Sequence, residues 1–217
     1  MVLLVIVLAV VLLGILSQSF LFGRRGGGDL TIASNNAKNI ASSLNLFRQE
    51  FGSYPDEHTR EALLEQGHEN VPEGDHANAY LAQLIVNGML DSETSFYVPG
   101  MKGVDKGDEI LKPGELLAAG ENGFAYLMTE EGKALGSNKS LMPLVITPII
   151  RGGDDPRFDP EPLSGKYVYG MANGSSKQGD IGEGGIALSK GRAHLFEGGP
   201  DSLFGFDTPV IKMPLID

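Results

Sequence analysis

Hydrophobic positions divide the chain into a wholly apolar start, an amphipathic continuation and a long alternating remainder. Met1–Leu16 (MVLLVIVLAVVLLGIL) carries no charge, and Ser17–Phe22 (SQSFLF) adds only three polar residues. As a helix, these 22 residues would reach roughly 33 Å, matching the ~30 Å core of a bilayer. Arg24-Arg25-Gly26-Gly27-Gly28 follows. Each glycine costs about 1 kcal/mol in a helix interior relative to alanine, so a break or joint is expected over 23–28. Over 29–52, Ala33, Ala37, Ile40, Ala41, Leu44, Phe47 and Phe51 recur at spacings of three and four. That is one apolar stripe on an amphipathic helix. Asp29 or Thr31 is its expected N-cap and Gly52 its stop. The stripe begins with alanines and ends with Leu44, Phe47 and Phe51. The far half is therefore expected to pack on a domain, and the near half alongside something else.

Gly52-Ser53-Tyr54-Pro55-Asp56 is a turn cluster. Short helices are expected over 57–66 and 76–87, the second capped by Asp75 and ended by Asn87-Gly88. Beyond residue 90, aromatic and β-branched runs at 95–98, 124–128, 144–150 and 166–171 predict short strands. Pro148 is expected to push its strand to an edge or bulge. Residues 185–188 and 193–196 complete an expected meander, joined by the turn-rich stretches NGSSKQGDIGEGG (173–185) and SKGR (189–192). The tail from 197 is loop-like except for 209–216. The predicted architecture is α+β: a long N-terminal helix, apolar then amphipathic, packed on one face of a small antiparallel sheet. Three segments are expected: an assembly helix over 1–22, a glycine-rich joint over 23–28 and one domain over 29–217.

Composition narrows the function. The apolar fraction of 41% is partly consumed by the first 22 residues, and 30 Gly with 12 Pro predict extensive loops. A net charge of −11 argues against a nucleic-acid partner, whose phosphates would repel this surface. With no cysteine, disulfides and thiolate chemistry are excluded.

The start of the chain admits three readings. A cleaved secretory signal would use Ser17-Gln18-Ser19 as its cleavage site, but its basic n-region is missing. An ordinary single-span anchor, flanked only by Arg24 and Arg25, would leave residues 26–217 in the cytoplasm. The third is a span whose basic leader has been removed, with Met1 as a processed N-terminus. The missing basic flank favours the third.

Gly14 within VVLLGIL, and NAKNIASSLNLFRQEFGSYPD over 36–56 with Phe47 followed by Tyr54-Pro55, carry a family resemblance. The chain resembles the type IV pilin-like proteins, in particular the pseudopilins of type II secretion systems. The similarity is good over residues 1–56 and weak beyond, where the C-terminal part is larger than usual. It implies a structural subunit of a pilus or pseudopilus, held as a single-pass protein in a bacterial inner membrane, with a periplasmic or extracellular domain. It also implies assembly with like or related subunits through the helix bearing Met1, Val5 and Gly14, and a prepilin peptidase for any leader. Ile40, Leu44, Phe47, Phe51, Tyr54 and Pro55 would root that helix in the domain. The family usually has a glutamate at position 5, and Val5 departs from this; a buried carboxylate costs several kcal/mol unless paired. The alternative is a non-polymerising, anchored or exported module that binds protein or glycan.

No catalytic constellation is present. There is no G-x-S-x-G elbow, and Gly179–Gly185 (GDIGEGG) lacks a strand-to-helix context for a dinucleotide. His58, His68 and His76 have spacings that fit no zinc motif. The expectation is a non-enzyme without a cofactor. Asp154, Asp155 and Asp159 are the calcium candidates, suggested by the calcium-binding C-terminal loop of major pseudopilins and by the oxygen ligands Ca²⁺ needs. Asp180 and Glu183 form a further acidic pair.

Overall fold

The computed structural model describes residues 2–112, 115–128, 141–189, 194–197, 203–204 and 209–216, with residues 2–26 described by backbone alone. The chain is α+β, with helices α1 (Val2–Phe51), α2 (Glu57–Glu65) and α3 (Ala77–Val86). A six-stranded antiparallel sheet has the order β7-β6-β5-β2-β1-β8. Its strands are β1 (Ala125–Met128), β2 (Pro143–Thr147), β5 (Lys166–Met171), β6 (Ser176–Ile181), β7 (Ala187–Leu188) and β8 (Val210–Lys212). A separate hairpin pairs β3 (Ile149–Arg151) with β4 (Arg157–Phe158).

The helical backbone of α1 runs through 23–28, where the sequence predicts a joint, so neither Asp29 nor Thr31 is an N-cap. Gly27 and Gly28 have open space around them, so their cost there is one of entropy alone, and the Thr31 hydroxyl bonds back to the Gly27 carbonyl at 2.9 Å. Gly52, at φ +78°, ends the helix as expected.

Alternation along the strands sends side chains to two buried faces. Tyr126, Met128, Leu144 and Val168 share one core with Ala33, Ala37, Ile40, Leu44 and Phe47 of α1 and with Leu81 and Leu84 of α3. Ala125, Leu127, Ile146, Tyr167, Tyr169 and Met171 face a second core with Ile149, Phe158, Leu195 and Phe204. α1 packs on one face of the sheet, and the other face is covered as well. For that reason β1 and β2 are buried at every position.

Four further expectations are corrected. Residues 93–96 form a 3-10 turn capped by Ser92, not a strand over 95–98. β2 lies inside the sheet between β5 and β1, and Pro148 marks the point where the chain leaves it for the β3–β4 hairpin. β6 occupies much of the stretch expected to be turn; its side chains are exposed or half-buried, so no apolar alternation announces it. The α3 N-cap is His76, one residue after Asp75, and its Nδ1 accepts from the Ala79 N–H.

Candidate functional site

Ala33, Ala37, Ile40, Ala41, Leu44 and Phe47 are all fully buried, so the alanine end of the stripe packs on the domain just as the bulky end does. The reason lies 130 residues away, at Gly170 in β5. A Cβ there would stand 2.5 Å from the Ala37 carbonyl oxygen, 2.9 Å from Val145 and 3.0 Å from the Ala41 Cβ. Small residues on both sides let helix and sheet backbones approach closely. The α1 stripe predicts this contact from one side only; its partner is a lone glycine inside a strand, a signal for close backbone approach that the sequence does offer.

The helix end is fastened by the Tyr54-Pro55 turn. Phe47 and Phe51 stack with ring centres 4.4 Å apart, and Phe51 is half-buried. Tyr54 is buried; its hydroxyl reaches Asn45 Oδ1 at 3.4 Å and the Arg48 guanidinium lies over its ring. The Pro55 carbonyl accepts from the buried Tyr126 hydroxyl at 2.9 Å. Asp56 then caps α2 reciprocally with Thr59, while Gln83 donates to the Asp56 carbonyl and accepts from the Thr59 hydroxyl. The turn thereby ties α1, α2, α3 and β1 together. The side chain of Val5, the surroundings of Gly14 and all of Met1 lie outside what is described.

A second cluster went unpredicted. Glu93, Asp108 and Glu121 bring carboxylate oxygens within 4.8 Å of one another, the one such trio among the described residues. Glu93 is fully buried and Glu121 is 8% exposed. Glu93 accepts from the N–H groups of Leu117 (2.6 Å) and Glu109 (3.0 Å), and Glu121 from those of Ala118 (2.7 Å) and Asp108 (2.9 Å). Leu117 and Glu109 sit at positive φ, 49° and 63°. Such strain costs about 1–3 kcal/mol per residue, and charge-assisted hydrogen bonds of about 1.5–3 kcal/mol offset it. Gly107 lies against Glu93 with no room for a side chain. Burial pushes the Glu93 carboxyl above its usual range, the Leu117 amide opposes that, and the Glu121 charge adds to it. These residues stand 13 to 28 apart in sequence, in loops without periodicity, so no pattern joined them. Their lone pairs could serve a divalent ion.

The predicted calcium candidates do not form such a cluster. Asp155 is engaged by Arg151 and Arg157, and its pKa is lowered first by the Arg157 hydrogen bond. Asp154 is exposed, and Asp159 Oδ1 accepts from the Glu161 N–H at 2.9 Å. Asp180 pairs with Lys166. Of the three acidic-region histidines, His58 lies exposed in the first turn of α2 and His76 is the α3 cap. His68 borders an open cleft of about 440 Å³ floored by Ile85, Val86, Leu111 and Leu116.

Among the residues whose side chains are described, no helix is long and apolar enough to cross a membrane; the apolar stretch 1–22 is not among them. Comparison with protein-family models, curated proteins and solved structures returned no match for this chain.

Proposed function

We propose that this chain is a pilin-like structural subunit of a type IV pilus or pseudopilus. Residues 1–22 hold it in a bacterial inner membrane, its domain lies on the periplasmic or extracellular side, and it assembles with like or related subunits through its N-terminal helix. The observation that best supports this reading is the unbroken assignment of α1 from the apolar stretch to a C-terminal half seated on Gly170. Force applied at the apolar end would pass along one helix into the sheet. The work is mechanical, and no catalytic step is assigned.

Gly14→Leu in the full-length chain tests it, because bulk at that position would disturb helix packing without touching the domain. Fewer or no filaments, with an unchanged domain melt, supports the proposal; unaltered assembly contradicts it. Leu44→Asp is a poorer test, since Leu44 is fully buried in the domain core. The alternative, a non-polymerising binding module, gains if binding to a surface or partner survives deletion of residues 1–28.

We propose Glu93, Asp108 and Glu121, whose carboxylate oxygens converge, as the place for a divalent cation ahead of Asp154, Asp155 and Asp159. Calcium titration read as the thermal midpoint tests this. A rise abolished by Glu121→Gln supports the trio; an unchanged midpoint removes calcium from the account.

A further inference from the structure

Asn173-Gly174-Ser175 fits the N-x-S/T pattern of N-linked glycan acceptors. A second match, Asn138-Lys139-Ser140, lies outside the described residues. The pattern alone is common, and local geometry gives it content. Asn173 is exposed in the turn between β5 and β6. That turn is firmly built: Met171 N–H donates to the Ser175 carbonyl at 2.8 Å, Gly174 N–H to the Met171 carbonyl at 2.8 Å, and the Ser42 hydroxyl of α1 to the Gly174 carbonyl at 3.2 Å. Gly174 holds φ +75°.

Ser175 donates twice to Asn173 Oδ1, from its backbone N–H at 3.1 Å and its hydroxyl at 2.6 Å. A backbone N–H can only donate, so the amide oxygen is the atom turned toward Ser175. Asn173 is exposed, and its Nδ2 donates to no described residue. The carboxamide nitrogen and the hydroxyl two residues on thus sit together on one exposed, ordered turn.

We propose that Asn173 is the acceptor of an N-linked glycan. Nδ2 attacks the anomeric carbon of a sugar activated as its 1-diphosphate. The new C–N bond forms as the sugar C–O bond breaks, the diphosphate leaves with the electron pair, and the Nδ2 proton passes to a base of the transferase. Gly174 abuts Ser42 and Asn45 of α1, so the sugar would stand beside the C-terminal half of that helix and limit how a neighbour approaches it. The inference does not depend on filament formation.

The test is peptide mass mapping of the full chain purified from its native cells. The peptide bearing Asn173 is expected to carry whole-sugar mass increments. These are lost in Asn173→Gln and Ser175→Ala and kept in Ser175→Thr, with thermal midpoints confirming folded variants. A single sugar points to a nucleotide-linked donor, and an oligosaccharide block to a lipid-linked one. Recovery of that peptide wholly unmodified, or changed only to aspartate, overturns the proposal. So does sugar confined to Asn138 or to hydroxyl oxygens.

Discussion

The two faces of the sheet are closed by opposite means. On one, regular helices α1 and α3 lie against β5, β2 and β1, and small residues set the spacing: Ala33, Ala37 and Ala41 against Gly170. On the other, the short β3–β4 hairpin and loop segments cover the strands, and aromatic rings fill the space. Phe158 lies 5.7 Å from Tyr167, Tyr167 5.7 Å from Tyr169, and Phe196 5.5 Å from Phe204, centre to centre. A helix held at backbone distance cannot yield to added bulk, whereas loops can shift and refill. Tolerance of substitution should therefore differ between the faces, although each carries a buried core.

The largest effect is expected from Gly170→Val. The obstacles are the Ala37 backbone and two short side chains, so the helix itself must move. Overpacking costs about 1–3 kcal/mol where side chains can adjust; about 3 kcal/mol or more is expected here, as a drop in the denaturant midpoint. Phe158→Ala on the opposite face should cost about 3 kcal/mol, the low end for removing a buried phenylalanine, because loop residues can collapse into the gap. A cost for Phe158→Ala well above that of Gly170→Val would break the comparison.

Smaller effects sharpen it. Glu93→Gln replaces one accepting oxygen with a donor facing an amide N–H. It should cost about 1–3 kcal/mol, the penalty of an unsatisfied buried group, and speed hydrogen exchange at Leu117 or Glu109. His76→Ala should cost about 1 kcal/mol through the lost cap, and His76→Asn much less. His76 also predicts a pH effect. Burial holds its folded pKa below 6.5, with Asp75 opposing, so the unfolded chain binds the proton more readily. Its contribution is complete above pH ~6.5 and declines as pH falls through that value toward the lowered folded pKa. A protonated Nδ1 cannot accept from Ala79, and a cation at a helix N-terminus is disfavoured. The decline should vanish in His76→Asn. Glu93 acts with the opposite sign: its raised pKa adds stability as pH falls from that value toward 4.5. The pH series is therefore best run in the Glu93→Gln background.

The contrast between the faces also explains what was legible. The α1 stripe, the Tyr54-Pro55 turn, α2, α3 and strands β1, β2 and β5 follow from periodicity, residue type and turn chemistry, because each element's pattern is local. The aromatic face was not legible. Strands β1 and β2 were expected, but being buried on both sides they carry no alternation to mark a second covered face, and Leu195 and Phe204 reach that core from loops. Strand β6 was hidden for the converse reason, since SKQGDI carries too few apolar residues to signal a strand. The acidic trio is assembled by tertiary folding alone, and of the expected calcium aspartates Asp155 is paired with Arg151 and Arg157. Gly170 was visible as a residue but not as the partner of Ala37 and Ala41, because nothing local links positions so far apart.

The central claim is that the apolar end of α1 assembles subunits. The chain contains no cysteine, so single cysteines report contacts without background. Val5→Cys and Leu12→Cys should be placed in the full-length protein in native membranes and oxidised, with Lys177→Cys on exposed β6 as the control. Because a disulfide requires Cα atoms about 4.4–6.8 Å apart, a bond reports direct helix contact. The account predicts covalently linked dimers of this chain from positions 5 or 12, and none from position 177. Uncrosslinked monomer at positions 5 and 12, or equal linking from position 177, would contradict it.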